Sequence, residues 1–329
     1  MNHVQNIVFL VESRNSANRI KPLLSKYQDK FNLQFIHTLA IGLYQFKYPS
    51  HIKIKDLPAV FEPEWQLRKN DGSLGFKLAP HTLKDDQIVA TALTVSEVLT
   101  QADVIVLTEY HDMSAIHSVY KILEFNPHQA NVVLLRDSKS TQKEIDSIFN
   151  ATAQKLQDEP LLHTLYEQSK VKKYFDYNFN INSAIILGKS LKLVGVDSPD
   201  FVMTKNCLLA LYYLKNKGRN SISNILQDFH ENWVGTGKYA ATSLGSIISR
   251  SEILSLLVNA GLVHNENSKL QLSNKGQDFL NTLHPDCCDM DLPHRIKQWV
   301  ELESSAYPKI DIYIRTYFGK QKRYLNKIS

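Results

Sequence analysis

The sequence predicts an α/β N-terminal domain with a parallel sheet, followed by a mainly α-helical region that contains a helix–wing–helix unit. Short apolar runs alternate with amphipathic helical stretches over residues 1–137, the pattern of parallel strands joined by helical crossovers. Helical periodicity dominates from Ser140 onward, and between Ser243 and Leu280 it gives way briefly to a short alternating strand. The chain is read as three regions, residues 1–137, 138–205 and 206–329.

In order along the chain, Ile7–Val11 reads as a buried strand and Ser16–Lys26 as a helix; a second strand lies near Leu33–Thr38. A helix is expected over Asp86–Thr100, a strand over Val104–Thr108, a helix over Met113–Glu124 and a strand over Asn131–Leu135. Residues Ser140 to Ala153 open a helical region that runs past Tyr174. The run MTKNCLLALYYL is helical, and Ile253, Leu256, Leu257 and Ala260 recur at helical spacing until Gly261 ends that helix. Leu270 and Leu272 alternate through a short strand before LSNKGQDFL restarts a helix, which together describe a winged-helix unit, a frequent DNA-binding module. The two acids that follow buried strands, Glu12 and Glu109, are expected to face one crevice, because ligands collect at the carboxyl ends of parallel strands.

Composition sets limits on function. At 329 residues, 43% hydrophobic and 22% charged, the chain is ordinary for a globular protein of two or three cores. No stretch of 18 apolar residues suits a membrane span, and the first apolar run is too short for a signal peptide. Three cysteines cannot build a disulfide framework, so the expected location is the cytoplasm. The net charge of +5 permits nucleic-acid binding without requiring it. Its distribution is more telling: Lys170, Lys172 and Lys173 form one cluster and Lys215, Lys217 and Arg219 a second. A third comprises Arg315, Lys320, Lys322, Arg323 and Lys327, interleaved with Tyr313, Tyr317, Phe318 and Tyr324, as when rings stack on bases and cations meet phosphates.

Several blocks, in the same order, resemble a known family. FLVESRNSANRI is similar to a strand–glutamate–helix block, IKIKDLPAVFEPEWQL to a tryptophan- and leucine-proline-containing segment, and ADVIVLTEYHDMSAIHSVYKIL to a strand leading into D-x-D-x-E. LYEQSKVKKYFDYNFNINSA resembles a segment ending in glycine-x-asparagine-x-serine, with Lys170 at its arginine and Asn180 at its asparagine. VGVDSPDF is similar to G-R-V-Q-x-P-T-L without the arginine, and SLGSIISRSEILSLLVNAGLVHNENSKLQLSNKGQDFL to a G-T-P-A-T-R-A block with Gly245 and Arg250 on its glycine and arginine. The family is the type IA DNA topoisomerases, of the topoisomerase III kind, whose N-terminal domain has the TOPRIM fold. The resemblance implies an α/β TOPRIM domain, a catalytic acid at Glu12, a Mg²⁺ site and DNA contacts.

The departures from that family shape the expectation. In type IA enzymes a tyrosine attacks a DNA phosphodiester, assisted by the TOPRIM glutamate, while an acidic cluster holds Mg²⁺. At D-x-D-x-E this chain has Glu109, His111 and Met113, a poor donor set for a hard cation, with Asp112 as a substitute ligand. The tyrosine motif belongs between VGVDSPDF and Gly245, where Tyr212 and Tyr213 lack the arginine and threonine that should follow. Tyr313-Ile-Arg315-Thr316 fits Y-x-R-T in letters but stands in the terminal helix, where an ordinary basic-aromatic face explains it. His284, Cys287, Cys288 and His294 match no strong zinc spacing, and Gly235-Thr-Gly237-Lys238 lacks the upstream glycine and the hydroxyl residue of a phosphate loop.

The expected protein is therefore a DNA-binding, topoisomerase-like pseudoenzyme without strand passage, acting on DNA, including single strands, inside a DNA-processing assembly or mobile element. It has no membrane partner and no required cofactor, with Mg²⁺ only weakly indicated. The expected site residues are Glu12 as the retained acid, Glu109 and Asp112 for metal, and Arg14, Arg19, Lys170, Lys173, Asn180, Arg250, Arg315, Lys320, Lys322 and Arg323 for DNA. The alternatives are an active minimal topoisomerase or TOPRIM nuclease using Glu12, Glu109 and Asp112, and a protein-binding adaptor with a relic DNA surface.

Overall fold

The computed structural model describes residues 4–11, 14–37, 44–67, 81–84, 87–90, 95–108, 113–135, 141–150, 160–197 and 201–328. It divides into two compact units: residues 1–47 with 65–170, and residues 48–64 with 171–329.

The first unit is an α/β layer structure. Its strands are β1 (Asn6–Val11), β2 (Asn32–His37), β3 (Tyr44–Phe46), β4 (Trp65–Leu67), β5 (His81–Lys84), β6 (Gln87–Ala90), β7 (Val104–Thr108) and β8 (Asn131–Leu135). The main sheet runs β6-β5-β2-β1-β7-β8, with β2, β1, β7 and β8 mutually parallel. Strand side chains alternate between two cores, as a sheet covered on both faces requires. Val8, Leu10, Ile105, Leu107 and Leu134 pack on α2 (Val95–Thr100), α3 (Met113–Phe125) and the start of α5 (Pro160–Leu193), through Leu99, Ile116, Val119 and Leu162. Ile7, Phe9, Phe35, Val106 and Leu135 face α1 (Arg14–Ile20), the following 3-10 turn and α4 (Gln142–Phe149), through Ile20, Leu24, Ile145 and Ile148.

Two expected helices are differently built. The helix expected over Ser16–Lys26 is α1 followed by a 3-10 segment, Lys21–Tyr27, because Pro22 has no N–H to continue the α ladder. The helix expected over Asp86–Thr100 is β6 followed by the short α2. Gln87–Ala90 pairs antiparallel with β5, and β5 with β2, so the hairpin extends the sheet beyond its parallel strands. Pairing between segments decides this, and it overrides local helical periodicity.

The second unit is helical. Along α5, Phe175 and Phe179 meet rings from α10 (Leu292–Glu301) and α11 (Tyr307–Ile328): Trp299 lies 5.6 Å from Phe175, and Phe318 5.1 Å from Phe179, between ring centroids. Residues 48–64 lie along α5 as a strap. Asn178 Oδ1 accepts from Phe61 N at 2.7 Å and its Nδ2 donates to Phe61 O at 2.9 Å; Asn182 does the same for Ala59 at 3.0 and 2.7 Å. Two wholly buried amides one helical turn apart thus pair with alternate residues of an extended segment, as a neighbouring strand would.

Next in the chain come α6 (Lys205–Lys217), β9 (Asn220–Ser221), α7 (Ile222–His230), α8 (Ile247–Asn259), β10 (Val263–Glu266), β11 (Lys269–Leu272) and α9 (Asn274–Asn281). The three strands form an antiparallel sheet in the order β10-β11-β9. Side-chain caps explain the sharp helix starts: Thr204, Ser221, Ser246 and Ser273 each accept a backbone N–H of the first turn. Gly261, at φ +71°, turns the chain out of α8 into the hairpin. Gly276 in α9 packs so closely that a Cβ there would lie 2.2 Å from Leu262 O.

Candidate nucleic-acid interface

In the first unit, β1 crosses to β2 on one side while the later β7 lies on its other side, so the strand order reverses between β1 and β7. In open α/β sheets, ligands bind beyond the carboxyl ends of the strands at such a switch point. β1 ends at Val11 and β7 at Thr108, with Leu10 opposite Leu107. Glu12, Glu109 and Asp112, the residues expected to be catalytic or metal-binding, lie outside the described residues. By residue type the acidic block offers Glu109, His111, Asp112 and Met113, of which the two acids suit a hard cation and the imidazole and thioether do not; Met113 is the first residue of α3. Among the described residues, no group of three or more His, Cys, Asp or Glu side chains is placed to hold a metal ion. Arg14 and Arg19 lie on α1, with Arg19 exposed near its end.

Lys170 also belongs to the first unit. Its Nζ bonds Glu167 Oε1 at 2.7 Å and sits 4.5 Å from the centre of the Tyr166 ring.

On the second-unit part of α5, Lys173 is half-buried beside Lys172 and Asp176. Burial pushes the Asp176 carboxyl up, but Lys205, Lys172 and Lys173 outweigh it and hold the group below the ordinary carboxylate range. Lys205 pairs directly with Asp176. The three cations that act on Asp176 come from two helices, α5 and α6. Asn180 is only half-buried and donates to the Tyr48 hydroxyl at 3.1 Å. The asparagines with structural consequence are Asn178 and Asn182, missed because their partners are more than a hundred residues away.

Arg250, expected at the DNA surface, is instead an internal tie. It is 7% exposed, its Nε donates to Leu244 O at 3.3 Å, and its Nη2 donates to His230 O and Gly245 O at 3.3 and 3.2 Å. Desolvation lowers its pKa. Its guanidinium binds the segment joining α7 to α8, a segment also pinned by reciprocal backbone bonds between Trp233 and Thr242. Among the described side chains of α8, the exposed ones are Ser251, Glu252, Ser255 and Asn259, with no cation among them. Cations lie instead near the hairpin: Lys217, Arg219 and Lys269, with Arg219 paired to Glu266 at 3.1 Å.

On α11 the expected residues separate. Arg315 and Arg323 are exposed. Lys320 is paired with Asp286 at 2.5 Å on the surface. Lys322 is a strap anchor rather than a free cation, its Nζ donating to Leu57 O at 2.6 Å and Lys55 O at 3.3 Å. Lys309 and Lys327 are exposed on the same helix and were passed over as site residues, though their spacing from Lys320 and Arg323 places all four along one stripe. Tyr313 donates to Asp289 Oδ2 at 3.0 Å, on the same oxygen that Arg295 Nε approaches at 3.3 Å. Its ring lies 5.3 Å from Trp299 and 5.7 Å from Tyr317. Burial first, and the Asp289 charge second, hold its phenol protonated well above the usual range, the opposite of an activated nucleophile.

Burial pushes the Cys287 thiol up to about 12, and the thiol contacts Gln321 Oε1 at 3.6 Å. His294 stacks on Tyr239 at 3.9 Å, so these residues are engaged separately.

The formal charge of +5 falls entirely in the second unit, which holds 22 Lys and Arg against 17 Asp and Glu; the first unit holds 16 of each. No protein-family model matches the sequence, and no curated protein matches it.

Proposed function

We propose that the chain is a DNA-binding relative of the type IA topoisomerases, of the topoisomerase III kind, with a TOPRIM-like first unit and a winged-helix unit within the second. It holds DNA, with a preference for single strands, inside a larger DNA-processing assembly and does not pass strands. The observation that carries this reading is the concentration of positive charge in the second unit. Within it, α11 bears six Lys and Arg against one acid, Asp311, which is bonded by the Tyr174 hydroxyl at 2.8 Å; Lys322 is tied to the strap and Lys320 to Asp286, while Lys309, Arg315, Arg323 and Lys327 are exposed. Counterion release from phosphates rewards such a surface. The order α6-β9-α7-α8-β10-β11 supports the winged-helix assignment, and four parallel strands with acids next in sequence after β1 and β7 support the TOPRIM-like one. The protonated, packed Tyr313 supports the absence of transesterification. Cys207, Cys287 and Cys288 are free thiols, which supports a cytoplasmic setting.

One observation favours a second reading. Among the described side chains, the exposed face of α8, the helix that enters a groove in DNA-reading winged helices, carries Glu252 and no cation. That face suits contact with a protein. Purified protein titrated with single-stranded and supercoiled DNA, with and without Mg²⁺, tests the proposal: salt-sensitive binding without nicking or relaxation is expected. Absence of DNA affinity at low salt would leave the adaptor reading.

A further inference from the structure

We infer that single-stranded nucleic acid runs along α11 rather than across α8, with an unpaired base seated in a cleft between α10 and α11. The inference rests on the DNA-binding reading and specifies where that binding occurs.

The cleft has a volume of 680 Å³ and is lined by Arg295, Trp299, Leu302, Lys309, Ile312 and Tyr313. This size lies in the range of ligand sites. Two features separate it from an ordinary surface hollow. Its lining includes large apolar side chains open to solvent, Leu302 at 40% and Ile312 at 67% exposure. Its lining also includes two cations: Lys309 is exposed, while Arg295 is held by Asp289. Glu301 also borders the cleft, so the cleft itself is close to neutral and suits an uncharged flat group.

The anion-binding capacity lies along the same helix. At 100° per residue, Lys309, Ile312, Thr316, Lys320, Arg323 and Lys327 fall on one stripe of α11. Lys320 (paired with Asp286), Arg323 and Lys327 succeed one another at about 4.5 and 6 Å of helix rise, close to one turn apart. The opposite stripe, Ile310, Ile314, Phe318 and Leu325, is buried. A polymer that presents phosphates at regular spacing and a flat apolar group beside them matches this face. A single strand can place a base in the cleft while its backbone follows the cations, whereas the bases of a duplex are already stacked and paired.

The test compares a thymidine oligonucleotide with an abasic oligonucleotide of equal length, both bound to the full chain over a salt series. Wild type should bind the base-bearing strand about tenfold more tightly, since stacking of one base contributes about that factor. Leu302→Gln with Ile312→Gln should erase the difference and keep the salt slope. Lys309→Glu, Arg323→Glu and Lys327→Glu together should weaken both strands and flatten the slope by about 2 units, at roughly 0.7 per lost phosphate contact. Ser255→Ala with Asn259→Ala should leave affinity within about twofold. All changed residues are exposed, and unchanged circular dichroism melting confirms that each variant folds. Equal affinity for the two strands would overturn the base-seating inference, and an unchanged salt slope in the charge-reversal variant would overturn the α11 path, while DNA binding itself stood. Tighter binding of a polyglutamate peptide than of the thymidine strand would overturn the inference in favour of an acidic protein partner. No binding of either strand by wild type would overturn the DNA-binding reading with it.

Discussion

Replacing Arg250 by methionine should cost the fold about 1–3 kcal/mol and leave DNA affinity nearly unchanged, because its guanidinium satisfies three main-chain carbonyls beneath the surface. Urea denaturation beside an oligonucleotide titration checks this; a large loss of affinity with unchanged stability would return Arg250 to the DNA surface. Tyr313 gives the second residue-scale expectation. Its hydroxyl bonds a carboxylate within an aromatic cluster, so Tyr313→Phe should lower stability by about 1–2 kcal/mol and keep DNA binding. Tyr313→Ala should weaken binding as well, through lost packing. The pH dependence has a definite sign. Burial and Asp289 raise the folded pKa above the ordinary 10, so the group's contribution is complete below pH 10 and is lost as pH rises through the folded value. Stability of wild type should therefore fall above pH 10, and Tyr313→Phe should flatten that fall. A covalent protein–DNA adduct present in wild type and absent in Tyr313→Phe would contradict the packing role.

At the scale of elements, the strap tests whether side-chain amides can stand in for a strand. Asn182→Ala removes partners from both the N–H and the C=O of Ala59, for a cost of about 2–4 kcal/mol. Limited proteolysis should then cut preferentially within residues 48–64; cleavage no faster than in wild type would show that Lys322 and the remaining contacts hold the strap alone. Gly276→Ala should destabilise by about 1–3 kcal/mol, since the new methyl meets the Leu262 carbonyl and Leu272. The strands β1, β7 and β8 were legible because each is a continuous apolar run that carries its own burial signal. β6 was not, because Gln87–Ala90 becomes a strand only by pairing with β5. The same limit applies to the site. Positive charge at Lys322 and Arg250 was legible, but what each cation bonds depends on carbonyls brought near by folding, and their letters match those of the exposed Arg315 and Arg323.

Over the whole molecule, the unequal division of charge gives the central expectation: a second unit with all the positive excess and a first unit without any. Relaxation of negatively supercoiled DNA should be absent with or without Mg²⁺, since Tyr313, the tyrosine that fits Y-x-R-T, is packed and held protonated rather than activated. Robust Mg²⁺-dependent relaxation would show that another tyrosine acts. The most direct measurement is the fluorescence anisotropy of a labelled single-stranded oligonucleotide titrated with the full chain from low to high salt. The account predicts binding at low salt that falls linearly in a plot of log affinity against log salt, with a slope of about −2 to −4 from three to six phosphate contacts. Failure to bind at low salt, or an affinity indifferent to salt, would contradict it.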